Sequence, residues 1–172
     1  GKNNRAAASS LSDRLVSPMP DLLVNLLKLP PATGQAGHHF LIRRAQPFEL
    51  TPVRDFIQEH FSVAWADEAS IGFANKPVSV YLATIDKRIV GFSAYECTRR
   101  GFFGPTGVIE EARGSGVGKA LLLAALWGLR EMGYVYGIIG GAGPVQFYEN
   151  TVGAVVIADS EPGVYTDLLK SS

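Results

Sequence analysis

The sequence predicts a three-layer α/β domain: a mixed sheet flanked on both faces by helices. Three observations point there. β-rich apolar runs recur between helical patterns along most of the chain. One such run leads into a glycine loop and then directly into a long apolar helical stretch. Tyr134 to Ile139 is almost continuously apolar, as expected of a strand covered on both faces. With 172 residues, 47% apolar and 19% charged, the chain suffices for one packed core and is short for two.

The elements follow in order. Residues 1–10 are small and polar and are expected to fray. Leucines from Leu11 to Leu29 recur at mixed three- and four-residue spacing. Pro18 and Pro20 interrupt any early helix, so the helix is placed over Asp21 to Leu29 and stopped by Pro30-Pro31. Residues 1–37 thus form an N-terminal extension with a linker from Pro30 to Gly37, and residues 38–172 form the domain. The extension can pack on the domain or on a second copy, which leaves a homodimer open.

Phe40 to Arg43 is the first strand of that domain. Thr51-Pro52 supplies an N-cap and a first-turn proline for a helix reaching His60, and a second helix covers Val63 to Phe73. Val78 to Ile85 and Ile89 to Tyr95 are strands joined by Asp86-Lys87-Arg88, a hairpin signal. Phe102 to Ile109 is a strand broken by Gly104-Pro105. The helix from Gly116 to Met132 ends at Gly133. After the strand at Tyr134 to Ile139, Pro144 starts a short helix to Thr151, and Gly153 to Ala158 closes the sheet.

Composition removes several function classes. The formal charge is zero, with 16 basic and 16 acidic residues, and the best basic cluster is Arg99-Arg100, so no nucleic-acid partner is expected. No apolar run approaches the roughly 18 residues of a membrane span, and residues 1–20 lack the order of a secretory signal. Cys97 is the one cysteine, which favours a reducing, cytoplasmic setting and reads as a strand-end packing residue. His38 and His39 precede the first strand of the domain and His60 ends a helix. No spacing of His, Cys, Asp and Glu suggests a metal site.

The chemistry is concentrated at Arg113-Gly114-Ser115-Gly116-Val117-Gly118-Lys119. A strand, a glycine loop and a helix N-terminus make a seat for a phosphate-bearing ligand, because first-turn N–H groups and the helix dipole both favour an anion. A nucleotide-hydrolase loop is disfavoured because Ala120 stands where the magnesium-binding hydroxyl is needed and Arg113 where the leading glycine is needed. A dinucleotide fingerprint is disfavoured by the spacing of Gly114, Gly116 and Gly118 and by their late position. A cradle for an acyl-coenzyme A diphosphate needs only backbone donors; a purely structural turn remains the plain alternative.

The segment from Arg113 to Gly118 resembles the R/Q-x-x-G-x-G/A signature of the GNAT superfamily of acetyl-coenzyme A-dependent N-acetyltransferases. Gly143 to Asn150 followed by Val152-Gly153-Ala154 is similar to a second segment of that superfamily, and the resemblance covers about residues 39–169. It implies a splayed mixed sheet whose gap, between the strands at Thr106–Ile109 and Tyr134–Ile139, takes the pantetheine arm. It further implies that N–H groups of Gly114, Ser115, Gly116, Val117, Gly118 and Lys119 hold the diphosphate, beside Arg113, and that the backbone at Val108 and Ile109 pairs with the arm. Tyr148 matches the family's general acid. The family usually carries proline near position 110, where this chain has Glu110-Glu111.

For the base, Glu110 and Glu111 are the leading candidates, with Glu96 behind them. The expected activity is direct transfer of an acetyl group from acetyl-coenzyme A to a primary amine. A small molecule is the first choice of acceptor and a protein or peptide amine the second. A catalytically silent acyl-coenzyme A-binding module is the rival reading.

Overall fold

A computed structural model describes residues 19–170. The fraying expected over residues 1–10 and the leucine pattern before Met19 lie outside the described residues. The strands are β1 (Leu22–Asn25), β2 (Leu41–Arg44), β3 (Val80–Ile85), β4 (Arg88–Tyr95), β5 (Phe102–Val108), β6 (Tyr136–Ile139) and β7 (Val155–Val156). The helices are α1 (Leu50–His60), α2 (Val63–Ser70), α3 (Val117–Glu131) and α4 (Val145–Val152), with short 3-10 turns at Leu26–Lys28, Pro47–Glu49, Ile71–Ala74 and Glu110–Ala112.

The strands form one sheet in the order β2-β3-β4-β5-β6-β1-β7, parallel only between β5 and β6. Helix α3 packs on one face with Tyr148 and Val152 of α4, around Leu122, Leu126 and Tyr95. Helices α1 and α2 cover the other face through Val53, Ile57, Ala66 and Ala69, against Val80, Leu82 and Phe92. The predicted three layers are present.

The N-terminal segment differs from expectation. Asp21 to Leu29 is not a helix: Leu22–Asn25 is a strand between β6 and β7, and Leu26–Lys28 is a 3-10 turn. Leu22 and Val24 are buried and Leu23 is exposed, the period of two that a strand with one covered face requires. Pairing with β6 and β7 satisfies this backbone better than a helix of about two and a half turns between prolines would. This part of the extension therefore belongs to the sheet.

Smaller differences have local causes. Helix α1 begins at Leu50 behind the 3-10 turn, where the Glu49 carboxylate accepts from the Gln46 N–H at 2.9 Å, so Thr51 is not its cap. The β3–β4 hairpin turns through Asp86 and Lys87, both at positive φ. β5 continues through Gly104-Pro105, but its register against β4 shifts there, between the pairs Thr106–Ser93 and Phe103–Tyr95. β6 starts at Tyr136, which is exposed, so it is not covered along its whole length. β7 is only two residues long.

Gly128 on α3 faces the fully buried Tyr95, and a Cβ there would stand 2.5 Å from its ring. Overpacking of roughly 1–3 kcal/mol outweighs a helix-propensity gain of about 1 kcal/mol. Gly128→Ala is therefore expected to lower the urea midpoint, with a net loss of about 1 kcal/mol.

Candidate functional site

Two features define the site: the N-terminus of α3 and a gap in the sheet beside β5. At α3 the N-cap is Gly116, with φ of 88° and no side-chain cap. The first bond into the helix runs from the Ala120 N–H to the Gly116 C=O at 3.0 Å. The preceding 3-10 turn uses the N–H groups of Ala112 and Arg113. Among the described residues, the N–H groups of Gly114, Ser115, Gly116, Val117, Gly118 and Lys119 have no protein acceptor. Gly114 and Gly116 both have positive φ, and nothing lies within 4 Å of a Cβ placed on either. This cradle is open, donor-rich and attached to a 15-residue helix whose first turn holds no acidic residue. The Ser115 hydroxyl donates to the Ala112 C=O at 2.7 Å and holds the loop's shape.

β5 joins the cradle to the gap. It pairs with β6 only at Phe102–Ile138 and Phe103–Ile139, and β6 ends there. On the β4 side the Ile109 N–H donates to the Val90 C=O at 2.9 Å. Strand alternation then points the N–H groups of Val108 and Thr106 into the gap. Ile109 thus has its N–H committed elsewhere, while Val108 faces the gap. From Gly104 to Val108 roughly 13 Å of strand edge leads toward the loop.

A cavity of about 310 Å³ lies where the strands part. It is bounded by Phe103 to Thr106 on β5 and by Ile139 with the glycine-rich turn up to Pro144 on the β6 side. Tyr148 also lines it, from the face that carries α3, and Trp65 lines it from the face that carries α2. The cavity therefore passes through the sheet. Tyr148 is 5% exposed, its ring set edge-on against Phe103 at 6.2 Å. Its hydroxyl bonds to no described residue, yet among the described residues no buried polar side-chain atom lacks a partner, so the hydroxyl opens onto the cavity. Burial pushes the Tyr148 phenol up to about 12, so it keeps its proton throughout the neutral range.

The carboxylates singled out in the sequence do not join this group. Glu110 and Glu111 sit exposed on the 3-10 turn before the cradle, outside the cavity lining. Glu96 accepts from the Gly101 N–H and closes the β4–β5 connection, also outside the lining. Arg113 reaches back to the Val108 C=O at 3.3 Å, and Lys119 is exposed on the first turn of α3. Burial raises the Cys97 thiol to about 11, which removes it as a nucleophile at neutral pH. Among the described residues no cluster of His, Cys, Asp and Glu can hold a metal, and no helix is long and apolar enough to cross a membrane.

Sequence reasoning missed Thr106, Trp65 and Tyr165. Thr106 was contained in the approach strand, but its outward N–H follows only from the β4 register. Trp65 and Tyr165 are a hundred residues apart and meet at the cavity only in the folded chain.

Solved structures share this fold. A glucosamine N-acetyltransferase region described as GCN5-related, within a fungal multi-domain GH3 beta-N-acetylglucosaminidase, matches 82% of the chain with a TM-score of 0.66 and 19% identity. The fold is that of the GCN5-related N-acetyltransferases. Proteins of that description from Sphaerobacter thermophilus (TM-score 0.60, 21% identity, 88% of this chain) and Kribbella flavida (0.58, 20%, 82%) match it as well. The chain spans 20% of the fungal protein and 54% and 55% of the two others. No protein-family model and no curated protein matches the sequence. In this chain β5 and β6 are the pair that parts, and α3 follows the glycine loop.

Proposed function

We propose that this protein transfers an acetyl group from acetyl-coenzyme A to a primary amine of a small molecule. The observation that carries the reading is the continuous path from the unsatisfied donors at Gly114 to Lys119, along the unpaired edge of β5, to the Tyr148 hydroxyl. The cradle fits a diphosphate, since its backbone donors are free and its glycines leave room for close approach. Bound there, acetyl-coenzyme A would supply an acyl group already activated as a thioester.

The residues of the chain then have separate tasks. The N–H groups from Gly114 to Lys119 hold the diphosphate. The N–H groups of Val108 and Thr106 face the gap, where a carbonyl oxygen gaining negative charge needs donors. As the amine nitrogen bonds to the acyl carbon and the C–S bond breaks, Tyr148 Oη donates its proton to the leaving sulfur and recovers the proton the nitrogen sheds, which leaves amide, thiol and a neutral phenol. Holding the reactants in one passage supplies much of the remaining rate. With Glu110 and Glu111 outside the cavity, the amine enters as the neutral base, having left its proton to solvent.

Thiol release from acetyl-coenzyme A, followed with primary amines across pH, tests this reading. The rate is expected to rise with pH as the amine deprotonates, with no fall up to about pH 11, because Tyr148 ionises only near 12. Amine-independent release alone, or none with any amine, would contradict it.

A further inference from the structure

The far side of the passage indicates what kind of amine it admits. On the α2 face the lining is Trp65 and Tyr165, the latter bonded to Glu68 of α2; Met19 also borders the cavity, and no described residue lining it carries a charge. Tyr165 belongs to the C-terminal segment, which is fastened across this opening at several points. Its hydroxyl donates to the Glu68 carboxylate at 3.0 Å, and the same carboxylate accepts from the Thr98 hydroxyl. Its ring lies so close to Gly141 that a Cβ there would come within 2.9 Å. Upstream, the Asp21 N–H donates to the Ser160 hydroxyl at 2.9 Å, and the Asp21 carboxylate accepts from the Gly141 N–H at 2.8 Å. Glu68 is thus occupied in positioning Tyr165 and does not itself line the cavity.

Resting on the acyl-transfer reading above, we propose that Trp65 and Tyr165 form the acceptor site, and that its substrate is a primary amine carried on an apolar, ring-sized body. A polyhydroxylated amine would bring more hydroxyls than this mostly apolar, uncharged lining can partner, since the Tyr165 hydroxyl is already held by Glu68. A diamine would place its second ammonium where no described carboxylate lines the cavity. A flat apolar body gains from both aromatic rings, and it must be small because the cavity of about 310 Å³ also takes the thioester end.

The test uses the full chain saturated with coenzyme A, titrated calorimetrically with phenethylamine, putrescine and glucosamine. Phenethylamine is expected to bind at least tenfold more tightly than either competitor. Tyr165→Ala, a change in the tail, should weaken it at least tenfold while coenzyme A affinity stays within twofold. Trp65→Leu should do the same, with Tyr165→Ala deciding the matter if the tryptophan variant loses its fold. Equal or tighter binding of putrescine or glucosamine, no phenethylamine binding, or an unchanged affinity in Tyr165→Ala overturns the proposal. Thiol release from acetyl-coenzyme A separates the two readings. Phenethylamine binding without release defeats transfer but leaves this site, and release favouring glucosamine or putrescine defeats this site but leaves transfer.

Discussion

Tyr148→Phe is expected to lower kcat about 100-fold while coenzyme A binds as before. General acids typically contribute on the order of 10²–10⁴-fold, and the lower end applies because a thiolate leaves with little help. The substitution removes one oxygen and keeps the ring against Phe103 and Phe147, so packing on the α3 face is retained. No hydrogen bond to a described residue is lost. Steady-state kinetics beside calorimetric titration separates the effects: an unchanged kcat would remove Tyr148 from the chemistry, and a lost affinity would make it a structural residue.

The second large effect lies at the cradle. Gly116→Asp puts a carboxylate at the N-cap of α3, where it repels a bound diphosphate and competes for the same N–H groups. Hydrogen bonds to charged groups and the helix terminus together suggest a loss of about 2 kcal/mol, or roughly 30-fold in affinity. Because Asp is among the residues that tolerate positive φ, the fold is expected to survive. Thermal unfolding should show a midpoint a few degrees lower without ligand, from the strain at positive φ, and the loss of the upward shift that coenzyme A produces in the parent. An undiminished shift would place the diphosphate elsewhere.

What the sequence made legible follows physical rules of range. The cradle is written locally: the positive φ at Gly114 and Gly116 and the apolar face of α3 need no distant partner to be inferred. Helices α1 and α2 and the β3–β4 hairpin were likewise readable from short-range pattern. β1 was not. Leu22, Leu23, Leu26 and Leu27 fit a helical spacing, and the competing alternation across Leu22 to Asn25 is only four residues long. Its partners, Ile139 to Tyr136 and Val156 to Val155, lie more than a hundred residues away. Propensity gave way to tertiary pairing.

The site divides along the same line. Tyr148 is singled out in the sequence because its neighbours resemble a known segment, and in the structure its hydroxyl opens onto the cavity. Glu110 and Glu111 were attractive by position after β5, but the 3-10 turn at Glu110–Ala112 directs the chain to the surface. The sorting of N–H groups at Thr106, Val108 and Ile109 depends on which side β4 pairs, which no local signal carries. Trp65 and Tyr165 come together through the C-terminal segment and its hold on Glu68 and Asp21.

The central claim is that the backbone from Gly114 to Lys119 grips a coenzyme A diphosphate and that the ligand extends along β5 toward Tyr148. Backbone amide NMR during titration with coenzyme A tests it most directly. The account predicts the largest shifts at the amides of Gly114, Ser115, Gly116, Val117, Gly118 and Lys119, with a second group at Thr106 and Val108 and little change at Ile109. Saturable shifts confined to another surface, or none at all, would contradict it.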